Sequence, residues 1–359
     1  MTRPAYAKLF YGMLPDRDAL VEFMRIYLKR YDPAESPIFL TGESYGSIRS
    51  VLVAQGATER GIPIQGIMIS AEGITLGLNG NDLGYAVSLP AFTVAAWVHH
   101  LLPPELQADR NRAITAAEAW AEDVYLPALT RGNTLSADER HKVALGMARL
   151  TGLRPEFIEA SNLRVGREAF SEELLLEQRK SIGLYDDRIT GPLSGAYDPT
   201  TDPSLMAWGV AYPSLAERML LNGVLGMKSD RLYAGPFGGG WPVHEGYEDW
   251  MASKWHMGMS NETTGIGADM FLPIFVKIVD KGVRVLIGSG YYDVAGMGFF
   301  GSDYLAARVP SEDEARVQVV HYESGHMVPG AEFAADSAAF IGRVLDGPLA
   351  KPPHPMIGD

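Results

Sequence analysis

The chain of 359 residues contains no cysteine. This excludes a disulfide framework, a thiolate zinc site and a cysteine nucleophile, but it assigns no compartment, because secreted proteins can also lack disulfides. Basic residues are few: 31 Lys and Arg stand against 44 Asp and Glu, which gives a net charge of −13. Because a nucleic-acid binder needs a basic face, this balance argues against nucleic acid as a partner.

Long apolar stretches are lacking as well. No run approaches the roughly 18 uncharged apolar residues that a membrane-spanning helix needs. The first ten residues, MTRPAYAKLF, have neither the apolar core nor the small-residue cleavage site of a signal peptide. With 47% apolar and 21% charged residues, the chain has the balance expected of an ordinary soluble globular protein.

The first part of the chain alternates between helix and strand patterns. Residues 16–31 and 45–60 have apolar side chains at helical spacing. The short apolar runs at 36–44 and 66–70 are typical of strands that are buried on both faces. Because strand–helix–strand units form parallel sheets, the sequence predicts an α/β layer here.

The last hundred residues repeat this alternation, with strand patterns at 283–290 and 316–322. The residues between the two α/β parts have mainly helical patterns, followed by a stretch rich in Gly, Pro and aromatic residues. We therefore expect an α/β core formed by residues 1–88 and 263–359, with a mostly helical cap at residues 89–262.

Aromatic side chains of the cap have two interpretations. They could line a pocket for the side chain of a substrate, or they could form the core of the cap, which is the commoner role of such residues. The residues concerned are Trp97, Tyr233, Phe237, Trp241 and Trp250.

Residues Gly42–Gly46 have the sequence G-x-S-x-G, directly after a predicted strand and directly before a predicted helix. This is the place of a nucleophile elbow, in which a serine occupies a tight turn and small neighbours let strand and helix approach. The helix N-terminus behind the serine favours developing negative charge. The motif alone is weak, because a structural turn can have the same sequence, but its context favours Ser44 as a nucleophile.

A serine nucleophile needs a base and a group that orients the base. In this architecture the acid and the histidine follow the serine along the chain, in loops after later strands. Asp293 follows the predicted strand 283–290, and His326 follows the predicted strand 316–322, whereas His321 lies within that strand. Either residue alone could be an ordinary loop residue, but the three in this order predict a Ser–Asp–His triad.

The segment LTGESYGS at residues 40–47 resembles the elbow of the serine carboxypeptidases, a family of the α/β-hydrolase superfamily. GYYD, which ends at Asp293, is similar to the acid loop of that family, and GHMVP at 325–329 is similar to its histidine loop. Softer similarity runs through the intervening segment, so the resemblance covers almost the whole chain. One departure is Phe333, where the family usually has Pro or a small residue.

The resemblance implies a serine-type carboxypeptidase that uses no metal or cofactor and acts on peptides with a free C-terminal carboxylate. Ser44 would attack the last peptide bond, His326 would transfer the proton to the leaving amino acid, and Asp293 would orient His326. The backbone N–H of Tyr45 would supply one oxyanion donor. Glu43 would help to bind the substrate carboxylate, which requires one of the two carboxyl groups to be protonated.

In the family, a second oxyanion donor comes from an early Gly-rich loop similar to Asn-Gly-Gly-Pro-Gly, whose Asn also binds the substrate carboxylate. Upstream of Ser44 the glycines are Gly12 and Gly42, and the Gly-rich stretch at 235–242 lies in the wrong chain order. We therefore expect that the chain lacks the family's N-terminal part. This would leave the strand at 36–44 with an unpaired apolar edge and would cost about 10² to 10³ in rate through the missing donor.

Two alternatives remain open at this point. The same triad could serve an esterase or an acyltransferase, in which Glu43 would be a solvent-facing elbow residue. The chain could also be inactive, or a subunit that another polypeptide completes.

Overall fold

The computed structural model describes residues 13–31, 36–198, 201–209, 222–226 and 271–346. The predicted pocket candidates Tyr233, Phe237, Trp241 and Trp250, and the Gly-rich stretch at 235–242, lie outside these residues. The chain divides into two compact units, which are described separately. The first comprises Met1–Asn79, Asp249–Tyr291 and Gly296–Asp359, and the second comprises Gly80–Glu248 and Tyr292–Ala295.

Helices and strands alternate in the described residues of the first unit, as the sequence patterns predict. In chain order they begin with α1 (Met13–Tyr31), β1 (Phe39–Glu43), α2 (Tyr45–Glu59) and β2 (Gly66–Ser70). The elements of the second unit are α3 (Asp82–Val98), α4 (Pro104–Gln107), α5 (Arg110–Trp120), α6 (Leu126–Arg131), α7 (Ala137–Thr151), α8 (Pro155–Ala160), α9 (Arg167–Glu173), β3 (Lys180–Ile182), β4 (Thr190–Pro192) and α10 (Pro203–Gly209). The first unit ends with α11 (Phe271–Asp280), β5 (Arg284–Gly290), α12 (Gly298–Ala306), β6 (Val317–Tyr322) and α13 (Gly330–Asp346).

The described strands of the first unit form a parallel sheet in the order β1-β2-β5-β6. Strands from the two ends of the chain meet in its centre, where Gly66 of β2 is in register with Arg284 of β5. The predicted α/β layer at both ends of the chain is therefore one sheet. Because all four strands are parallel, the loops that follow them leave the sheet at the same edge.

Apolar residues cover both faces of this sheet. One face packs against α2, α11 and α12 in a core that includes Ile67, Ile69 and Ile287, none of which has any exposed surface. The other face packs against α13 through Phe340 and Val344. The central strands are thus buried on both sides, as their continuous apolar runs predict.

The prediction that strand 36–44 is buried on both faces is wrong. Ile38, Phe39 and Leu40 are half-buried, and Thr41 and Glu43 are exposed. The reason lies in the sheet order, because β1 has β2 as its one neighbour among the described strands. The apolar run identifies the strand correctly but does not place it in the sheet.

The second unit is mainly helical, as the sequence patterns of the cap predict. Its core lies between α3, α5, α7 and α9 and includes Phe92 stacked on Phe170, with ring centroids 4.0 Å apart. Trp97 packs against this core and donates its indole N–H to the carbonyl of Gln107 at 2.9 Å. The sequence allows Trp97 either to line a pocket or to form part of the core of the cap. The structure shows that it packs against the core of the second unit. Within the described residues, no helix is long and apolar enough to span a membrane.

Candidate active site

Ser44 lies between the last residue of β1 and the first residue of α2. Its backbone has φ 55° and ψ −121°, a conformation that a residue other than glycine rarely adopts. Hydrogen bonds hold this turn: the Ser44 N–H donates to the carbonyl of Ser70 at 3.0 Å, and the Ser47 N–H donates to the Ser44 carbonyl at 2.9 Å. A strained serine at a strand-to-helix turn is the geometry of a nucleophile elbow.

The two glycines of the motif have different environments. A Cβ atom on Gly42 would lie 2.1 Å from the carbonyl oxygen of Gly46 and 2.7 Å from the hydroxyl of Ser50. A Cβ atom on Gly46 would have no other atom within 4 Å. The close approach of strand and helix therefore requires glycine at position 42 and leaves room at position 46.

The first turn of α2 is fixed to the loop that follows β2. The Ser47 hydroxyl donates to the Ser44 carbonyl at 2.6 Å and accepts from the Gly73 N–H at 2.8 Å. Tyr45 is the first residue of α2, so its N–H belongs to the end of the helix that carries partial positive charge. Glu43, beside the serine, is exposed.

His326 lies in the loop between β6 and α13 and is half-buried. This loop passes directly over the end of β5, because a Cβ atom on Gly290 would lie 2.1 Å from the Gly325 carbonyl oxygen and 2.3 Å from that of Ser324. The loop therefore leans from β6 back across the sheet edge, towards the side on which β1 lies. The structure brings Ser44 and His326 to the same edge of one sheet.

His321 and Phe333, which lie on either side of His326 in the sequence, each have a packing or hydrogen-bond partner. His321 is engaged elsewhere, since its Nε2 lies 3.0 Å from both carboxylate oxygens of Asp303. Phe333, which differs from the residues of the serine carboxypeptidases that the loop resembles, lies against Gly288, where a Cβ atom would be 2.9 Å from its ring. The glycine in β5 makes space for the larger side chain.

Asp293 follows β5 by three residues and belongs to the second unit. Its side chain is buried, and its Oδ1 accepts a hydrogen bond from the Ala295 N–H at 2.9 Å. The next residue, Val294, has 1% of its surface exposed and lies in the core of the second unit. The carboxyl group that the sequence predicts as the acid is thus buried and hydrogen-bonded within the second unit.

A turn at residues 184–188 supports the segment that carries Asp293. The Asp187 N–H donates to the Tyr292 carbonyl, and the Val294 N–H donates to the Leu184 carbonyl, each at 2.9 Å. The Arg188 guanidinium lies 4.4 Å from the centre of the Tyr292 ring. The Arg110 guanidinium donates to the Tyr292 hydroxyl at 3.0 Å. Backbone and side chains thus fix the residues on both sides of Asp293.

Asp187 is the unusual member of this turn. Its side chain has no exposed surface, and neither carboxyl oxygen has a hydrogen-bond partner among the described residues. Burial raises the pKa of Asp187 well above its usual range, and the charges of Asp186 and Asp293 raise it further against the opposing effect of Arg188. Asp187 is not among the site residues predicted from the sequence, although two acidic residues followed by Arg188 in a Gly- and Pro-rich stretch are a signal for it.

Gly290 is likewise not among the site residues predicted from the sequence. It closes the small-residue run Gly288-Ser289-Gly290 at the carboxyl end of a strand, which is the signal that another backbone passes close by.

Comparison of the chain with protein-family models and with curated proteins finds no match. The interpretation of the site therefore depends on its motifs and its geometry.

Proposed function

We propose that this chain has an α/β-hydrolase fold and acts as a serine-type carboxypeptidase with the triad Ser44, Asp293 and His326. The observation that carries the proposal is the strained backbone of Ser44 at the turn between β1 and α2. The position of His326 after β6, and that of Asp293 after β5, support it, because the chain order Ser–Asp–His is that of this fold.

In the proposed reaction, the Ser44 hydroxyl attacks the carbonyl carbon of the last peptide bond while His326 accepts its proton. The oxyanion of the tetrahedral intermediate would be stabilised by the N–H of Tyr45 at the N-terminus of α2. His326 then protonates the leaving amino group as the peptide bond breaks. Water hydrolyses the Ser44 ester with His326 as the base, which releases the shortened peptide and restores the enzyme.

The test is hydrolysis of a blocked dipeptide with a free carboxylate, measured between about pH 4 and pH 8, by the full chain and by Ser44→Ala. We expect activity that the substitution abolishes. A fluorophosphonate probe, which labels an activated serine, provides an independent measurement on the same two proteins. A folded chain whose labelling and hydrolysis are the same in Ser44→Ala would overturn the proposal.

The effect of substituting Glu43 distinguishes a carboxypeptidase from an esterase that uses the same triad. Its carboxyl is exposed and lies one residue from Ser44, and we expect it to share a proton with the carboxylate of a substrate. Because that shared bond needs one protonated carboxyl, we expect peptidase activity to fall as the pH rises. Glu43→Ala, which removes the carboxyl group, should reduce hydrolysis of the free-carboxylate dipeptide about tenfold or more and leave hydrolysis of a blocked ester nearly unchanged. An equal loss on both substrates would favour the esterase.

A further inference from the structure

The Ser44 backbone is held on both sides by the end of β2 and the loop that follows it. The Ser44 N–H donates to the carbonyl of Ser70 at 3.0 Å. On its other side, the Ser44 carbonyl accepts hydrogen bonds from the N–H and from the hydroxyl of Ser47, at 2.9 and 2.6 Å. The same hydroxyl accepts from the N–H of Gly73, in the loop after β2, at 2.8 Å. Ser47 therefore joins the Ser44 carbonyl to a segment outside α2.

This connection differs from the ordinary hydroxyl contact of a serine in a helix. Serine commonly donates to a carbonyl group about one turn earlier, and Ser50 does so to the Gly46 carbonyl at 2.8 Å. Ser47 makes a contact of that kind and also accepts from Gly73, so its hydroxyl is fixed from two sides. Because Ser47 has no exposed surface, water does not compete for these hydrogen bonds.

The loop that contains Gly73 is itself fixed. The Glu72 carboxyl is buried and accepts a hydrogen bond from the Ile74 N–H at 2.7 Å. The Ala71 N–H donates to the carbonyl of Gly288 in β5 at 3.0 Å. Ala71 has a φ of 46°, a conformation that a residue with a Cβ atom keeps only where its surroundings hold it. The position of Gly73 is therefore set by the central sheet and by a buried carboxyl group.

The geometry of the peptide bond passes this anchoring on to Tyr45. The peptide unit that contains the Ser44 carbonyl also contains the Tyr45 N–H, and it is planar and trans. In such a unit the C=O and N–H bonds point in opposite directions, so a group that fixes the carbonyl also fixes the N–H. An oxyanion donor is effective only when its direction is set before charge develops.

We propose that Ser47 is a positioning residue that fixes the direction of the Tyr45 N–H through its hydrogen bonds to the Ser44 carbonyl and the Gly73 N–H. This inference rests on the proposed function, in which the Tyr45 N–H donates to the oxyanion. Ser44 needs such support from outside the helix, because its φ of 55° and ψ of −121° are held only by surrounding contacts. Ser47 itself transfers no proton and touches no substrate.

The kinetic test compares Ser47→Ala with Ser50→Ala. The second variant is the matched control, because it removes a buried hydroxyl whose hydrogen bond lies within α2. We expect Ser47→Ala to lower kcat for a blocked ester about tenfold to a hundredfold and to change KM less than about threefold, because the oxyanion forms only in the transition state. Labelling by a fluorophosphonate probe should slow by a similar factor. Ser50→Ala should leave kcat, KM and labelling unchanged.

A second measurement reports the direction of the N–H bond and needs no catalysis. The residual dipolar coupling of the Tyr45 N–H is compared with the couplings of β2 in the same aligned sample. We expect the Tyr45 coupling to change in Ser47→Ala and to stay constant in Ser50→Ala. Ser47→Cys fills nearly the same space with a weaker hydrogen-bonding group, so it replaces Ser47→Ala if that variant does not fold. Circular dichroism and urea unfolding establish which variants are folded.

Two results would overturn the proposal. One is an unchanged Tyr45 coupling in folded Ser47→Ala or Ser47→Cys, which would mean that the backbone hydrogen bonds of α2 are sufficient. The other is an equal loss of kcat in Ser47→Ala and Ser50→Ala, which would indicate a general loosening of α2. A wild-type chain without hydrolysis or labelling would overturn the proposed function instead, and the couplings would still decide whether Ser47 orients this peptide unit.

Discussion

At the scale of single residues, the site depends on a few positions where backbone geometry restricts the side chain. Ser44 holds a positive φ that costs on the order of 1–3 kcal/mol, and the hydrogen bonds to Ser70 and from Ser47 stabilise it in that conformation. Gly42 is restricted in another way, by the helix that passes within van der Waals distance. Strain at Ser44 and crowding at Gly42 together restrict the backbone of this turn.

The elbow glycines should therefore respond in opposite directions to the same substitution. Gly42→Ala forces a methyl group against the Gly46 carbonyl and should destabilise the fold by about 2 kcal/mol or more. Gly46→Ala meets no atom and lies in the first turn of α2, so it should be neutral or stabilise by up to about 1 kcal/mol. Urea unfolding of both variants measures the difference. Equal free energies of unfolding would contradict the close approach of strand and helix.

Asp187 should make stability depend on pH. The unfolded carboxyl ionises near pH 4, but burial raises the pKa of the folded group well above that value, so only the folded state keeps the proton. Stability is then lost as the pH rises from about 4 towards the folded pKa, by up to about 1.4 kcal/mol for each pH unit. Asp187→Asn removes this loss, so its advantage over the wild-type chain should grow with pH across that window.

Urea unfolding at several pH values between about 4 and 8 checks this prediction. Asp123→Asn serves as the control, since it is the same substitution at an exposed position. A constant difference between Asp187→Asn and the wild-type chain at all pH values would show that the buried carboxyl does not retain its proton.

At the scale of elements, the loops that follow the parallel strands carry the candidate chemistry, and each is fixed by contacts of its own. The loop after β6 is positioned by the end of β5, at Gly290. The segment with Asp293 is held by the turn at residues 184–188. Loop geometry in this protein is therefore determined by packing between segments that are distant in the sequence.

The loop that carries His326 should be sensitive to the size of residue 290. Gly290→Ala would place a methyl group on the carbonyl groups of Ser324 and Gly325, which must move the loop. We expect at least a tenfold slower reaction of Ser44 with a fluorophosphonate probe, and faster amide exchange in the loop. Gly330→Ala, at the first residue of α13, meets no atom within 4 Å and should change neither rate. Unchanged exchange in a folded Gly290→Ala variant would contradict the packing.

Most elements could be predicted from the sequence because their apolar spacing is local information. The pattern at 66–70 matches β2 residue for residue, and the pattern at 16–31 locates α1 to within a turn. The exposed position of β1 could not be predicted, because strand order is decided by pairing between distant segments. For the same reason the motif locates the turn at Ser44, because its residues are adjacent in the sequence, whereas the contact of Gly290 with the loop after β6 becomes apparent only in the folded chain.

At the scale of the whole molecule, each unit has its own apolar core. Phe92 and Phe170 stack in the middle of the second unit, and both are almost completely buried. Ile69 occupies a similar place in the sheet of the first unit. This arrangement predicts that each unit responds to its own core substitutions.

Phe92→Ala should destabilise the second unit by about 3–5 kcal/mol, and Ile69→Ala should destabilise the first by about 2–5 kcal/mol. Amide hydrogen exchange resolved by peptide distinguishes the two cases. We expect Phe92→Ala to speed exchange mainly in α3, α5 and α7, and Ile69→Ala mainly in β2 and β5. Uniform acceleration over the whole chain in both variants would show that the two cores unfold as one.

The register of the central sheet has a consequence for how the chain folds. β2 is buried, yet its partner β5 follows it in the sequence only after residues 80–248 of the second unit, since Gly66 pairs with Arg284. Long-range pairing of this kind slows folding, because a large loop must close before any contact stabilises it. During synthesis, β2 and the apolar face of α2 are therefore exposed until the last third of the chain leaves the ribosome. Newly made protein should depend on chaperones for most of its translation, even though the finished sheet is well packed.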